Sequence, residues 1–166
     1  MVGFIPRSHD AIMSEGRLMY KYLYWWRVWW SGTYSIILTK ASFFNEKYLS
    51  MYTDRMRALE IDKYIDEHKN CEDIAMQFLI SNITDTGPIF TSGSYSDSGA
   101  VGGISTQHGL GQFTKHYRAR SDCLQEFTRR FGRFPLVNSH QFVSQMRNWT
   151  PFKTPSSWLE YLSNPF

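Results

Sequence analysis

The sequence is poor in cysteine, with only Cys71 and Cys123 in 166 residues. That excludes a disulfide-dense miniature scaffold and any zinc module built from four thiolates. Charge of one sign is also scarce. Net charge is +3, charged residues are 20% of the chain, and there is no Lys/Arg-rich block. A mildly basic balance suits an anionic ligand, but no zinc-finger or RNP-type pattern accompanies it, so no nucleic-acid partner is expected. Lys21 and Arg27 interrupt the longest apolar stretches, leaving no run of the ~18 residues that a membrane span needs. The N-terminus has no basic-then-apolar signal, so membrane anchoring or lumenal targeting would need a segment upstream of Met1. There is no P-loop, dinucleotide fingerprint or Ser-His-Asp signature. No Asp-x-Asp pair occurs either. The nearest pattern, Glu60-Ile61-Asp62, reads as a solvated helix face, and no residue is assigned as a metal ligand.

What is present is a globular composition, 42% hydrophobic and 17% aromatic, long enough to bury a core as one domain. Many aromatics fall in one run, Tyr20, Tyr22, Tyr24, Trp25, Trp26, Trp29 and Trp30. Core packing is the commonest fate of such residues, acceptor contact through ring faces the second reading, and a membrane-interface belt the third. Residues 10–33 otherwise read as irregular. Strands are expected at Val2–Pro6, Tyr34–Thr39 and Pro88–Phe90. Asn45 is placed as N-cap of a short helix through Met51, and an amphipathic helix near Ala58–His68 follows. Asn70 is expected to cap a helix with Ile74, Ala75, Phe78 and Leu79 as its apolar stripe. Residues 91–112, rich in Gly and Ser, are expected to be a long mobile loop. A last helix is placed with Ser121 as N-cap and Gly132 as its stop. Strands alternating with helices predict an α/β fold with a thin sheet.

Two segments carry candidate chemistry. In Asn70-Cys71-Glu72-Asp73, Asn70 suits a cap and the acidic residues suit the helix dipole. The same carboxylates, fixed at a helix start, could orient a sugar hydroxyl or face a developing positive charge. In His116-x-x-x-Arg120, a guanidinium fork and an imidazole ahead of a helix N-terminus would suit a diphosphate. A solvated basic stretch with Lys115 and Arg118 is the competing reading. Cys71 and Cys123 are either free thiols or a disulfide. A bond would close a loop of about fifty residues, contribute roughly 4 kcal/mol by chain entropy, and pin the two segments together. Two sequons, at Asn82 and Asn148, lean towards a lumenal protein.

Several stretches, in order, resemble glycosyltransferase family 64, the C-terminal catalytic domain of exostosins and exostosin-like proteins. Val2-Gly3-Phe4-Ile5-Pro6-Arg7-Ser8-His9 resembles the family's Val-Gly-Phe-x-x-Arg-x-His. Tyr34–Phe44 resembles its Ser-Met-Val-Leu-Thr-Gly-Ala-x-Phe strand. Asn70-Cys71-Glu72-Asp73-Ile74-Ala75-Met76-Gln77-Phe78-Leu79 is similar to its most specific motif. His116-x-x-x-Arg120-Ser121-x-Cys123-Leu124, then Phe131-Gly132-x-x-Pro135-Leu136, resembles its closing block.

The resemblance implies a GT-A-type, Rossmann-like fold, with residues 1–136 as the acceptor-side part of the domain and 137–166 as an extension. It implies retaining transfer, usually of an N-acetylhexosamine, from a UDP-sugar. Acceptors would be heparan-type glycans in animals and sphingolipid or cell-wall acceptors in plants. Asp73 would be the key carboxylate, with Asn70 and Glu72 flanking it. His116 and Arg120 would meet the diphosphate, Arg7 falls in the entry motif, and Cys71 would pair with Cys123. Mn²⁺ is expected for the full family domain, its aspartate run lying N-terminal to this chain. The protein would then work in the endoplasmic reticulum or Golgi lumen, alone or as an oligomer. An inactive truncated paralogue, binding glycan or pairing with an active subunit, is the competing class.

Overall fold

The computed structural model describes residues 1–93 and 109–144, with side chains described for 1–93 and 115–144. Among them two small sheets pack with five helices. One sheet orders β5 (Ser42–Phe43), β1 (Val2–Gly3), β6 (Ile89–Thr91) and β7 (Phe142–Val143). The β1–β6 and β6–β7 pairs are parallel and β1–β5 is antiparallel. The other orders β3 (Arg17–Leu23), β2 (Pro6–Ser14) and β4 (Ile36–Ile37), all antiparallel. The mixed α/β expectation holds, with more strands than the thin sheet foreseen.

The aromatic-rich segment is not irregular. β2 and β3 form a hairpin whose register runs from Ser8 opposite Leu23 to Ser14 opposite Arg17. Glu15 and Gly16 turn it, both with positive φ (51° and 74°). That is the sense of twist a two-residue hairpin loop requires, which glycine adopts without penalty. The alternation of Tyr20 and Tyr22 is therefore a strand period, both rings on one face. α1 (Trp25–Ser31) follows, closed by Gly32 in the left-handed region.

Of the Tyr34–Thr39 stretch only Ile36–Ile37 is paired as a strand. Tyr34 instead makes an isolated bridge to Ser139. Its hydroxyl lies in a knot with Pro88, Phe90, Ser139 and Gln141, which ties the two sheets' ends together. Asn45 does start a helix, its Oδ1 accepting from the Lys47 N–H at 3.0 Å. That helix, α2 (Lys47–Ala58), runs well past Met51. α3 (Ile61–His68) is set off from it by Glu60 at φ 55°.

α4 (Glu72–Thr84) is the centre of the molecule. Asp73 through Ser81 are all buried, because α4 packs against α2, α5 and β4 rather than lying with one stripe on a surface. α5 (Gly109–Phe131) crosses it. Phe78 of α4 and Phe127 of α5 are both wholly buried and meet edge to face at 5.8 Å. α5 begins three turns earlier than Ser121, so Ser121 is not a cap, and the expected loop ends before Gly109. The rest of that loop, 94–108, lies outside the described residues. Gly132, at φ 73°, ends the helix as expected.

α5 also closes the edge of the hairpin sheet. The β3 strand leaves one side unpaired, and α5 side chains supply the missing partners. The Tyr22 N–H donates to Ser121 Oγ at 3.0 Å, and Gln125 Nε2 donates to the Tyr20 carbonyl at 2.5 Å. A covered edge carries no free row of backbone groups for another chain to pair with.

Candidate active site

Three elements converge on one buried ion pair. Arg120 of α5 donates through Nη2 to Asp73 Oδ2 of α4 at 2.5 Å, the two side chains being 7% and 6% exposed. Arg120 Nη1 donates to Asn70 Oδ1 at 3.2 Å. The Asn70 side-chain nitrogen lies 3.4 Å from His116 Nδ1. The hairpin contributes Tyr22, whose ring lies 4.6 Å below the guanidinium, and Arg7, close enough for its charge to act on Tyr22, His116 and Tyr117.

The helix starts differ from expectation, and the difference makes the site. Asn70 does not cap α4. Cys71 precedes the helix at φ 79°, and no side chain caps it. That left-handed turn is uncommon for a residue with a Cβ. The Cys71–Cys123 disulfide, with its Cα atoms 6.5 Å apart, fixes the turn from outside. The Asn70 side chain is thereby directed to Arg120 and His116. Asp73 Oδ1 accepts from the Ile74 N–H at 2.7 Å. His116 and Arg120 lie within α5, one turn apart on one face. They are not ahead of a helix N-terminus, so the dipole argument for a diphosphate fork does not apply to them.

Electrostatics follow from burial. Desolvation opposes the charge on Arg120, but Asp73 beside it holds the guanidinium pKa above its ordinary value. Burial, reinforced by Arg120, pushes His116 below the usual imidazole range. Burial raises Tyr22 to about 12 against the lowering effect of Arg120 and Arg7. The result is a buried Asp–Arg pair with Tyr22, His116 and Arg7 around it. A pair this dry is held by its hydrogen bonds as much as by its charges. Arg120 Nε, also buried, has no hydrogen-bond partner among the described residues.

Other expected residues fall outside this cluster. Glu72 is exposed in the first turn of α4; its carbonyl accepts from the Tyr52 hydroxyl at 3.4 Å. Asn82 Oδ1 accepts from Arg133 Nε at 2.8 Å, and Asn148 lies outside the described residues. Sequence reasoning took Tyr22 only as part of the aromatic run, with core packing as its first reading, and did not single out Tyr117. Their tie to Arg120 and Arg7 depends on a hairpin whose alternation was the available signal. No group of three or more His, Cys, Asp or Glu among the described residues could hold a metal ion. The manganese that the resemblance implies therefore finds no ligand set among them. Nor is any helix among them long and apolar enough to cross a membrane.

A glycosyl transferase family 64 domain matches residues 1–148. Glycosylinositol phosphorylceramide mannosyl transferase 1 of Arabidopsis thaliana is 43% identical over 89% of this chain and 42% of its own length. Human exostosin-like 2 is 33% identical over 87% of this chain and 44% of its own. Exostosin-1a of Danio rerio is 30% identical over 84% of this chain and 18% of its own. The chain thus spans less than half the length of these relatives. Motif, disulfide and domain match agree, and the chain belongs to glycosyltransferase family 64, the exostosin type.

Proposed function

We propose that these residues form the acceptor-side wall of a GT-A-type site that transfers a sugar, with retention, from a nucleoside-diphosphate sugar to a glycan or glycolipid. The observation that carries the reading is the Asp73–Arg120 pair, a carboxylate in a dry site anchored at both oxygens. Each carboxylate oxygen keeps a second lone pair, enough to orient an acceptor hydroxyl or face an oxocarbenium-like centre. In front-face transfer the acceptor oxygen bonds to the anomeric carbon as the bond to the diphosphate breaks. The acceptor's proton passes to the departing phosphate oxygen. His116 and Arg7 supply donors towards that leaving group. Arg120, already committed to Asp73 and Asn70, acts chiefly by holding Asp73 in place.

The resemblance to exostosins favours UDP-N-acetylhexosamine as donor, whereas the Arabidopsis relative is named for mannose. Turnover of the full-length protein with UDP-GlcNAc, UDP-GalNAc and a nucleotide-activated mannose, each with and without Mn²⁺, tests the reading. Transfer with one donor, with the anomeric configuration kept, supports it. An inverted product overturns the front-face mechanism. The disulfide fits an oxidising lumen of the endoplasmic reticulum or Golgi.

A further inference from the structure

The aromatic run leads outward from the buried pair in a continuous file. The Arg120 guanidinium lies 4.6 Å over Tyr22. Tyr22 meets Tyr117 at 5.5 Å. Tyr117 stacks on Tyr24 at 4.0 Å. Tyr24 lies nearly parallel to Trp26, 15° between planes and 6.3 Å between centres. Exposure rises along the file, from 3% at Tyr22 and 8% at Tyr117, through half-buried Tyr24, to 46% at Trp26.

Core packing explains the inner rings, which are buried. It does not explain Trp26, an indole open to solvent at the end of a row that starts on Arg120. Trp30 on the same helix is more exposed still, at 73%. Arg27 lies 5.9 Å from the Trp26 ring. Its guanidinium adds donors suited to sugar hydroxyls beside a flat apolar face.

We propose that Tyr24 and Trp26 form an acceptor subsite on which a pyranose ring of the glycan stacks, one or more sugar units from the reacting hydroxyl. The axial C–H face of a pyranose is apolar and matches an exposed ring face, while its equatorial hydroxyls reach the rim where Arg27 lies. The file connects this platform to Arg120, and through Arg120 to Asp73, by contacting side chains. This assignment rests on the transferase reading for the word acceptor, but the stacking itself does not depend on catalysis.

The test is saturation-transfer NMR of the full chain with methyl α-D-mannoside, methyl β-D-glucoside and methyl β-D-glucuronide, on the wild type and on Trp26→Ala, Trp26→Phe and Trp30→Ala. The expected result is weak binding of at least one glycoside. Trp26→Ala should weaken it about fivefold or more, Trp26→Phe should retain part of it, and Trp30→Ala should leave it unchanged. Equal binding by Trp26→Ala and wild type overturns the subsite. So does an equal loss in Trp30→Ala, which would mark mere adhesion to exposed indole. So would no binding of any of the three probes to the wild type. Asp73→Asn is run beside them, with its turnover assayed in the full-length protein. If it turns over normally while Trp26-dependent binding persists, the transfer reading fails and the stacking platform stands.

Discussion

Arg120 Nη2 reaches Asp73 Oδ2 at 2.5 Å, and the cysteines that set the two helices at this distance, Cys71 and Cys123, flank them in sequence by two and three positions. The site and its staple are one construction. The carboxylate lies two residues after one half-cystine and the guanidinium three residues before the other, so the covalent bond sets the spacing of the ion pair.

Breaking that pair from either side leaves a charge in a dry place. Arg120→Leu should lower stability by about 3–5 kcal/mol, read by urea unfolding, because Asp73 is left buried and uncompensated. Arg120→Lys should fall between, since an ammonium cannot reach Asp73 and Asn70 together in the planar geometry seen here. A stability loss under about 0.5 kcal/mol for Arg120→Leu would show the pair to be solvated.

The disulfide predicts no free thiol on alkylation of the oxidised, denatured protein, because Cys71 and Cys123 are bonded to each other. Cys71→Ser with Cys123→Ser should cost about 4 kcal/mol on chain-entropy grounds. It should also release the left-handed turn at Cys71, so turnover should fall by more than stability alone dictates.

Acid should unfold the protein partly through His9. Its Nδ1 lies 2.7 Å from Ser35 Oγ, and its ring packs on Phe134 at 4.6 Å. Burial lowers its pKa to about 4 against the opposing pull of Asp10. The folded state therefore resists a proton that the unfolded chain accepts near pH 6.5. Stability from this group is full above pH 6.5 and is lost as pH falls towards 4, by roughly 3 kcal/mol in all. His9→Gln should flatten the stability profile over that window. A profile unchanged by the substitution would place the imidazole in solvent.

How much of this was legible follows from which signals the chain carries locally. Cys71, Asp73, His116 and Arg120 were visible through motif resemblance, and the structure brings all four together with Asn70. Their local roles were not visible. Asn70 has a capping residue's chemistry, but a cap requires extended backbone at that position, and Cys71 takes the left-handed turn instead. Ser121 also looked like a cap, since glycines at 109 and 111 weaken the helical pattern before it. Tertiary contact keeps the helix going, and the Ser121 hydroxyl serves the Tyr22 N–H of another element. The hairpin escaped notice because Glu15-Gly16 is a weaker turn signal than Asn-Gly. Phe78 was placed on the right face because helical period is local, whereas the full burial of α4 depends on neighbours that periodicity does not report.

The most direct test of the site is Asp73→Asn in the full-length protein, assayed for sugar transfer beside a measurement of its folding. Asn keeps the volume and one oxygen acceptor but removes the charge. Turnover should fall about a hundredfold or more with the far-ultraviolet spectrum retained. A folded variant with near-normal turnover would contradict the assignment of Asp73 and, with it, the placing of the chemistry at the Asp73–Arg120 pair.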